Sequence, residues 1–167
     1  AAVKLSQDYI AQFSGEPELK LELATLHNKY REFGKSKEIY QELIQKDADH
    51  PVAVRARSNL AFLLISEGKI AEADEHVSKV LERNSKDSTA LLVKGHISLS
   101  RGDAQTAVSN YQTVVNNNPS NIEAIRYLAT AYYMNNKAEL AIQELKKVIR
   151  LQPKDLASYA MLARIYL

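Results

Sequence analysis

The sequence contains no cysteine, few glycines and prolines (five and four), and no apolar stretch near the roughly 20 residues that a membrane-spanning helix needs. The absence of cysteine excludes disulfides, thiolate metal sites and a cysteine nucleophile, but it suits both cytosol and periplasm. So few glycines and prolines argue against a loop-rich all-β fold. The abundance of Ala, Leu, Glu, Lys and Gln instead favours helices.

Neither sign of charge dominates the sequence. Its 22 basic and 20 acidic residues are interspersed and give a formal net charge of +2. This balance offers no electrostatic case for binding nucleic acid or an anionic membrane. Hydrophobic residues (46%) and charged residues (25%) lie near globular averages, which indicates an ordered domain rather than a disordered chain.

Turn-forming residues recur every 34 positions. Gly34, Gly68 and Gly102 share this spacing, and the next step falls on Asn136, the residue type that most readily replaces glycine in a left-handed turn. A second column with the same period contains Pro17, Pro51, Ser85, Pro119 and Pro153. The shared period predicts an array of repeated units, each with two segments separated by a tight turn.

The segments between these turns have the apolar spacing of helices. In the first segment a leucine column (Leu26, Leu60, Leu128, Leu162) precedes a mostly small column (Ala61, Gly95, Ala129, Ala163). The second segment repeats an alanine and then larger apolar residues, as in Ala107, Tyr111 and Val114. Small residues at fixed places predict close helix pairs. Three polar residues, Asp87, Asn121 and Asp155, are predicted N-caps, each contributing about 1 kcal/mol.

Segments such as LLVKGHISLSRGDAQTAVSNYQTVVNNNP and IRYLATAYYMNNKAELAIQELKKVIRLQP resemble tetratricopeptide repeat (TPR) units. The resemblance implies an all-α fold, an α-solenoid of antiparallel helix pairs that forms a right-handed superhelix. It further implies that the first helices of the repeats line the concave face. The unit pattern also resembles bacterial TPR proteins, including envelope-associated ones, so the localisation stays open between the cytoplasm and a bacterial periplasm or envelope.

We predict one continuous domain with four full repeats, at 17–50, 51–87, 88–121 and 122–155. Residues 1–16, with Val3, Leu5, Tyr9, Ile10 and Phe13 apolar, are expected to form the second helix of a preceding repeat, and 156–167 the first helix of a truncated one. A segment of a longer protein is therefore expected.

The first repeat departs from the strict register. Aligning Ser36, Tyr40 and Leu43 with the second helices of later repeats predicts a helix that starts about three residues early. The next helix, from Pro51, is then expected to be longer by as much.

Apolar residues at non-core positions of the first helices predict a partner-binding groove. Such a surface suits an extended peptide or an amphipathic helix. The alternative interpretation is that several of these residues pack along the inner wall. The candidate groove residues are Asn28, Arg31, Phe62, Ile65, Leu92, His96, Leu99, Arg126, Thr130, Tyr133, Met134 and Arg164.

The predicted function is a non-catalytic protein–protein interaction scaffold that helps to assemble a larger complex. The alternative is self-association through repeat ends or grooves. No catalytic, cofactor or metal site is predicted, since Glu72 and His76 lack a third ligand and no glycine-rich phosphate loop is present. We expect a protein partner, with homo-oligomerisation as the alternative, and neither nucleic acid nor direct membrane insertion.

The carboxylate clamp of chaperone-binding TPR domains is matched by Asn28 alone, because Ala24 and Phe62 occupy the companion columns.

Overall fold

The computed structural model describes residues 16–167, which contain nine helices and no strand. The helix expected within residues 1–16, with its apolar Val3, Leu5, Tyr9, Ile10 and Phe13, lies outside the described residues. The helices are α1 (Pro17–Lys29), α2 (Phe33–Lys46), α3 (Pro51–Ser66), α4 (Ile70–Arg83), α5 (Ser88–Ser100), α6 (Ala104–Asn117), α7 (Ile122–Met134), α8 (Ala138–Leu151) and α9 (Leu156–Tyr166).

The helices fall into two compact units. The first ends at Arg83 and includes α1–α4, and the second begins at Asn84 and includes α5–α9. Within each unit every helix packs on the next one along the chain, and α1 also contacts α3. None of the helices in the described range is long and apolar enough to cross a membrane. The limits of the individual repeats stay a prediction.

Side-chain caps begin several helices. Asp87, Asn121 and Asp155 each accept a hydrogen bond from the backbone N–H three residues on, at 2.8, 3.0 and 3.0 Å. The three predicted N-caps are therefore confirmed. Asp103, which was not among the predicted caps, caps α6 in the same way at 3.0 Å, and hydrogen bonds from Thr106 lower the pKa of its carboxyl.

A left-handed residue follows the first helix of each of the four hairpins. Gly68, Gly102 and Asn136 adopt φ values of 76°, 78° and 58°, which confirms that Asn136 replaces glycine in the turn. In each hairpin the N–H of the following residue bonds to the carbonyl five residues back, at 2.8–2.9 Å. This is the Schellman arrangement, which satisfies carbonyl groups that the helix end would leave unpaired.

The first hairpin is shifted by three residues, as expected. Helix α2 begins at Phe33, where the 34-residue period would begin it at residue 36, and α3 has 16 residues where α1, α5 and α7 have 13. Both register predictions are confirmed. Gly34 consequently lies inside α2, and the left-handed turn position is occupied by Arg31, with φ 62°.

The shift also moves α1 relative to the later first helices. The turn residues Arg31 and Gly68 are 37 residues apart, so Ala24 occupies the place of Ala61. Ala24 is fully buried, as that small column requires. His27 instead occupies the place of Leu64 and is 7% exposed, with its Nδ1 2.5 Å from a Glu32 carboxylate oxygen.

Large apolar side chains of the second helices fill the core of each unit. Tyr40 and Val77 are fully buried in the first unit, and Tyr111, Leu145 and Val148 in the second. In the second unit Leu145 shares a buried cluster with Ala129 of the first helix, and Tyr111 lies against Gly95. The alternation of large and small residues allows the two helices of a hairpin to approach closely.

The left-handed Arg31 predicts that Arg31→Gly stabilises the protein. A left-handed conformation costs an L-residue roughly 1–2 kcal/mol, and the added chain entropy of glycine removes about 0.5–1 kcal/mol of that gain. We expect a net gain of about 0.5–1 kcal/mol in the free energy of unfolding, measured by urea denaturation. Arg31→Ala is the matched control and should give no gain, because it keeps the Cβ atom. A lower stability for Arg31→Gly than for Arg31→Ala would contradict the assigned turn.

Candidate functional site

In the first unit the first helices α1 and α3 lie side by side. They are bridged on the surface by Arg55 and Glu22, whose charged groups are 3.7 Å apart. Phe62 and Ile65 are half-buried on α3, and Asn28 is half-buried on α1. Because of the register shift, Asn28 corresponds to Ile65 rather than to Phe62.

Arg31 does not belong to the helical row in which the 34-residue spacing placed it. Its backbone is beyond the end of α1, in the left-handed position that Gly68 occupies after α3. The strict spacing put Arg31 level with Ile65 because it did not include the three extra residues of α3. The predicted row in this unit therefore retains Asn28, Phe62 and Ile65.

In the second unit three first helices, α5, α7 and α9, touch one another through their side chains. The rings of His96 on α5 and Tyr127 on α7 are 4.3 Å apart. On the other side of α7, Thr130 Oγ1 lies 3.7 Å from the sulfur of Met161 on α9. Arg164 of α9 lies over the ring of Tyr133, with its guanidinium carbon 5.4 Å from the ring centroid. The structure thus brings His96, Thr130, Tyr133 and Arg164 onto adjoining first helices.

Three residues of the predicted groove in this unit serve internal contacts. Leu92 is only 7% exposed and is a core residue, which corrects its assignment as a groove side chain. Arg126 donates to Oδ1 of the cap residue Asp155 at 3.2 Å, so it connects α7 to the start of α9. Thr130 donates to the carbonyl of Arg126 at 3.0 Å. The inner-wall alternative therefore holds for Leu92 and in part for Arg126 and Thr130.

The other groove residues of this unit are apolar side chains on α5 and α7 and one basic side chain on α9, and of these Tyr133 and Arg164 are in contact. Leu99 and Tyr133 are half-buried at equivalent places on α5 and α7, and Met134 is 50% exposed. Arg164 is exposed and lies over Tyr133. We call Leu99, Tyr133, Met134 and Arg164 the apolar patch of the second unit.

His96 is held in an aromatic cluster with Tyr111 and Tyr127. Its ring meets both tyrosine rings edge-on, at centroid distances of 5.8 and 4.3 Å, an arrangement that aromatic rings favour. Burial lowers the pKa of His96, against an opposing effect of Glu123, so the imidazole is neutral at neutral pH. His96 was predicted to lie in the groove, but its tyrosine neighbours were not predicted.

The hydroxyl of Tyr127 donates to a Glu123 carboxylate oxygen at 2.9 Å. Burial, followed by this hydrogen bond, raises the pKa of Tyr127 to about 12. The spacing of Glu123 and Tyr127, one turn apart on α7, was the only sequence signal for this contact.

The close approach of α5 and α6 depends on Gly95. A Cβ atom at this position would overlap the Tyr111 ring at Cε1, closer than real contacts allow. Tyr111 is fully buried, so its ring has little room to move. Gly95 therefore allows Tyr111 to reach the rings of His96 and Tyr127.

The described residues contain no group of three or more His, Asp or Glu side chains that could hold a metal ion. His76, one turn from Glu72 on α4, is half-buried, and its Nδ1 has no hydrogen-bond partner among residues 16–167. Burial, and then the charge of Arg57, lowers the pKa of His76. The ring is therefore neutral at neutral pH.

Two family models match the sequence. A tetratricopeptide repeat-like domain matches residues 1–127, and a tetratricopeptide repeat matches residues 98–165. The chain belongs to the TPR family. No curated protein matches the chain.

Solved TPR structures share this fold at low sequence identity. A thermophilic TPR protein from Thermus thermophilus is 17% identical, with a TM-score of 0.81 over 99% of this chain and 89% of its own. YrrB, described as a TPR protein with an unusual peptide-binding site, is 16% identical, with a TM-score of 0.67 over 96% of this chain and 81% of its own. The first TPR of Spaghetti, bound to an HSP90 peptide, is 18% identical, with a TM-score of 0.63 over 68% of this chain and 90% of its own.

These matches confirm the predicted all-α solenoid of TPR helix pairs. The TPR fold supports a general role as a protein–protein interaction scaffold. The family is typically non-catalytic. At identities below 20%, the solved structures establish the fold of this chain and leave its partner to be argued from its own residues.

The contact between Gly95 and Tyr111 predicts a rescue by a second substitution. Gly95→Ala alone should lower the free energy of unfolding by about 1–3 kcal/mol, because it overpacks the α5–α6 crossing. Adding Tyr111→Leu recreates the alanine–leucine combination of Ala129 and Leu145, and should recover part of that loss. Urea denaturation of both single variants and the double variant measures the coupling. Strictly additive losses would show that the two residues do not share this crossing.

Proposed function

We propose that the chain is a scaffold that binds an extended peptide or an amphipathic helix of a protein partner on the faces of its first helices. The observation that carries the proposal is the apolar patch of the second unit. Met134 is half-exposed, and Leu99 and Tyr133 present apolar surface on neighbouring helices. Exposed apolar surface bordered by polar groups is typical of interaction sites.

The chemistry of the patch indicates what its ligand should contain. The flexible Met134 side chain adapts to different apolar groups, and Tyr133 offers a rigid ring with a polar tip. Arg164 is available at the edge of the patch to a carboxylate or a backbone carbonyl. We therefore favour a ligand with at least two apolar side chains and an acidic group beside them. His96, on the same first helix as Leu99, adds no positive charge at neutral pH, because burial lowers the pKa of its imidazole.

The first unit offers a smaller surface of the same kind. Phe62 and Ile65 are half-buried on α3, the helix that also carries Arg55 of the ion pair with Glu22. We propose that this surface binds a peptide or helix in the same way as the apolar patch but independently of it. The Phe62→Ala variant tests this surface.

Self-association is the second candidate function, and a specific observation favours it. Helix α9 exposes large apolar side chains, with Leu156, Tyr159 and Tyr166 at 81%, 47% and 67%. Covering such residues removes apolar surface from water, which stabilises association by about 25 cal/mol per Å² before the costs of binding. A second copy of the chain is the occupant that we propose for this surface.

Substitutions in the apolar patch should weaken peptide binding. Peptides of about 12 residues, selected from a random phage-displayed library against the wild-type chain, provide the probe, and fluorescence polarisation measures their affinity. We expect Tyr133→Ala with Met134→Ala to weaken binding at least about tenfold, because contacts at an interface centre carry most of the binding energy. Phe62→Ala tests the first unit separately.

The control for this experiment is the pair Leu140→Ala and Leu151→Ala on the second helix α8, where the side chains are 37% and 50% exposed. These variants should bind the selected peptides like the wild type. Equal affinity for the wild type and the patch variant would refute the groove assignment.

Substitutions on α9 should reduce self-association. Sedimentation equilibrium over a concentration series should show a concentration-dependent oligomer in the wild type and a monomer after Tyr159→Ser with Tyr166→Ser. Tyr30→Ser in the first unit is the matched control, since Tyr30 is 47% exposed like Tyr159. A wild-type chain that stays monomeric throughout the series would eliminate this candidate.

A further inference from the structure

A cavity of about 140 Å³ lies between α3 and α4 in the first unit. It is lined by Val54 and Arg57 of α3, by Lys79, Glu82 and Arg83 of α4, and by Ala48 of the preceding loop. Half of the lining residues therefore belong to a second helix, so the cavity is distinct from the groove predicted on the first helices. A water molecule needs about 10–15 Å³ of such space, so the cavity has room for a carboxylate or phosphate group with some water.

Three of the six lining residues are cations, and they differ in how they are paired. Lys79 donates to Glu75 at 2.6 Å, and Arg83 forms an ion pair with Asp49. The half-buried guanidinium of Arg57 has no hydrogen bond or ion pair among residues 16–167. The charge of Arg57 also acts on the nearby Glu75 and His76, but without a hydrogen bond or an ion pair to either. The guanidinium is therefore able to donate to an anionic ligand.

The first hairpin shows how the same two positions are used when they are paired internally. Counting back 37 residues from Arg57 and Lys79 leads to Lys20 and Glu42, which form an ion pair between α1 and α2. In the second hairpin the acidic member is replaced by a lysine. The two facing positions are thus both basic, where the preceding hairpin carries opposite charges.

The later hairpins use the first of these positions for ordinary packing. Counting forward by 34 and 68 residues from Arg57 leads to Leu91 and Ile125, which are 6% and 1% exposed. The residue 34 positions after Lys79 is the neutral Thr113. An arginine in this column, facing a lysine, is therefore specific to the α3–α4 hairpin and does not follow from the repeat pattern.

We propose that this cavity is an oxyanion site, in which Arg57 and Lys79 together bind a carboxylate or phosphate group. The planar fork of a guanidinium matches the oxygens of both groups, and hydrogen bonds between charged partners are short and strong. Arg83 adds a third positive charge, although its ion pair with Asp49 reduces its contribution. The bound anion supplies the negative charge that Glu42 supplies in the first hairpin.

Neighbouring groups limit the ligand to a small anion. Glu82 lines the cavity and repels a second negative charge, and Glu75 already accepts from Lys79. His76, one turn before Lys79 on α4, is neutral at neutral pH and adds no attraction. We therefore expect a single oxyanion rather than a polyanion such as nucleic acid.

The proposal is tested by an NMR titration that follows the side-chain Nε–Hε signal of Arg57. Inorganic phosphate is one arm, an acetylated and amidated Gly-Glu-Gly peptide with a single carboxylate is the second, and sodium chloride at equal ionic strength is the reference. A saturable shift with phosphate supports the site with phosphate as ligand. A saturable shift with the peptide alone supports it with a side-chain carboxylate as ligand. Responses to both that are as linear as the response to chloride overturn the proposal.

Lys79→Glu is the most informative variant, because it recreates the combination of Lys20 and Glu42 and keeps Arg57 as the reporter. It should weaken anion binding at least about tenfold, as expected when one charged partner is lost and an anion inside the protein competes.

Arg57→Leu introduces the residue type found at the equivalent Leu91. This variant should abolish anion binding, which is then measured from the NMR signals of the α4 backbone amides. Arg57→Gln provides the same test if the leucine variant does not fold. Arg150→Leu, an exposed arginine of α8, is the control. Binding that is unchanged in Lys79→Glu or in the Arg57 variants would overturn the site.

Discussion

The close crossing of the two helices in each hairpin is the contact on which the rest of the structure depends. At this crossing a small residue of the first helix faces a large residue of the second, and in the third hairpin the small residue has to be Gly95 because the ring of Tyr111 occupies the space of a Cβ atom. Tyr111 then extends beneath His96 and Tyr127 and connects three helices. Packing inside the hairpin thereby positions the ring of His96, one of the candidate groove residues.

The turns convert this packing into a repeating structure. In each of the four hairpins the first helix is followed by a left-handed residue and a backbone hydrogen bond from the next residue, whatever the identity of the turn residue. Glycine, asparagine and arginine all occur there, because the conformation is imposed by helices that must fold back on each other. Arginine is the costliest of the three, since its Cβ atom opposes the conformation. The three extra residues of α3 are absorbed by an added turn of helix, which leaves the crossings on either side intact.

The two proposed sites use different departures from the repeat pattern. The apolar patch arises where large side chains occupy columns that need no packing, as with Met134 at the end of α7. The cavity arises where charged side chains occupy a column that is apolar in later hairpins, as with Arg57 beside Lys79. In both cases the repeat supplies the backbone geometry, and the exceptional residue supplies the chemistry. In these proposals the peptide uses the first-helix faces, while a second helix contributes to the oxyanion site.

The sequence by itself determined the helix pairs, three of their caps and even the early start of α2, because these follow from local periodicity and from hydrogen bonds that span three or four residues. It did not decide which candidate groove residues are available to a partner. Leu92 is buried, Arg126 donates a hydrogen bond to Asp155, and Arg31 lies in a turn rather than in a helix. A fixed 34-residue spacing predicts neither such tertiary contacts nor a local shift of register. Only the tertiary structure revealed the ring contacts of His96 and an Arg57 guanidinium with no hydrogen bond or ion pair among residues 16–167. Burial and pairing depend on residues that are distant in sequence, and their side-chain positions are not encoded in any one repeat.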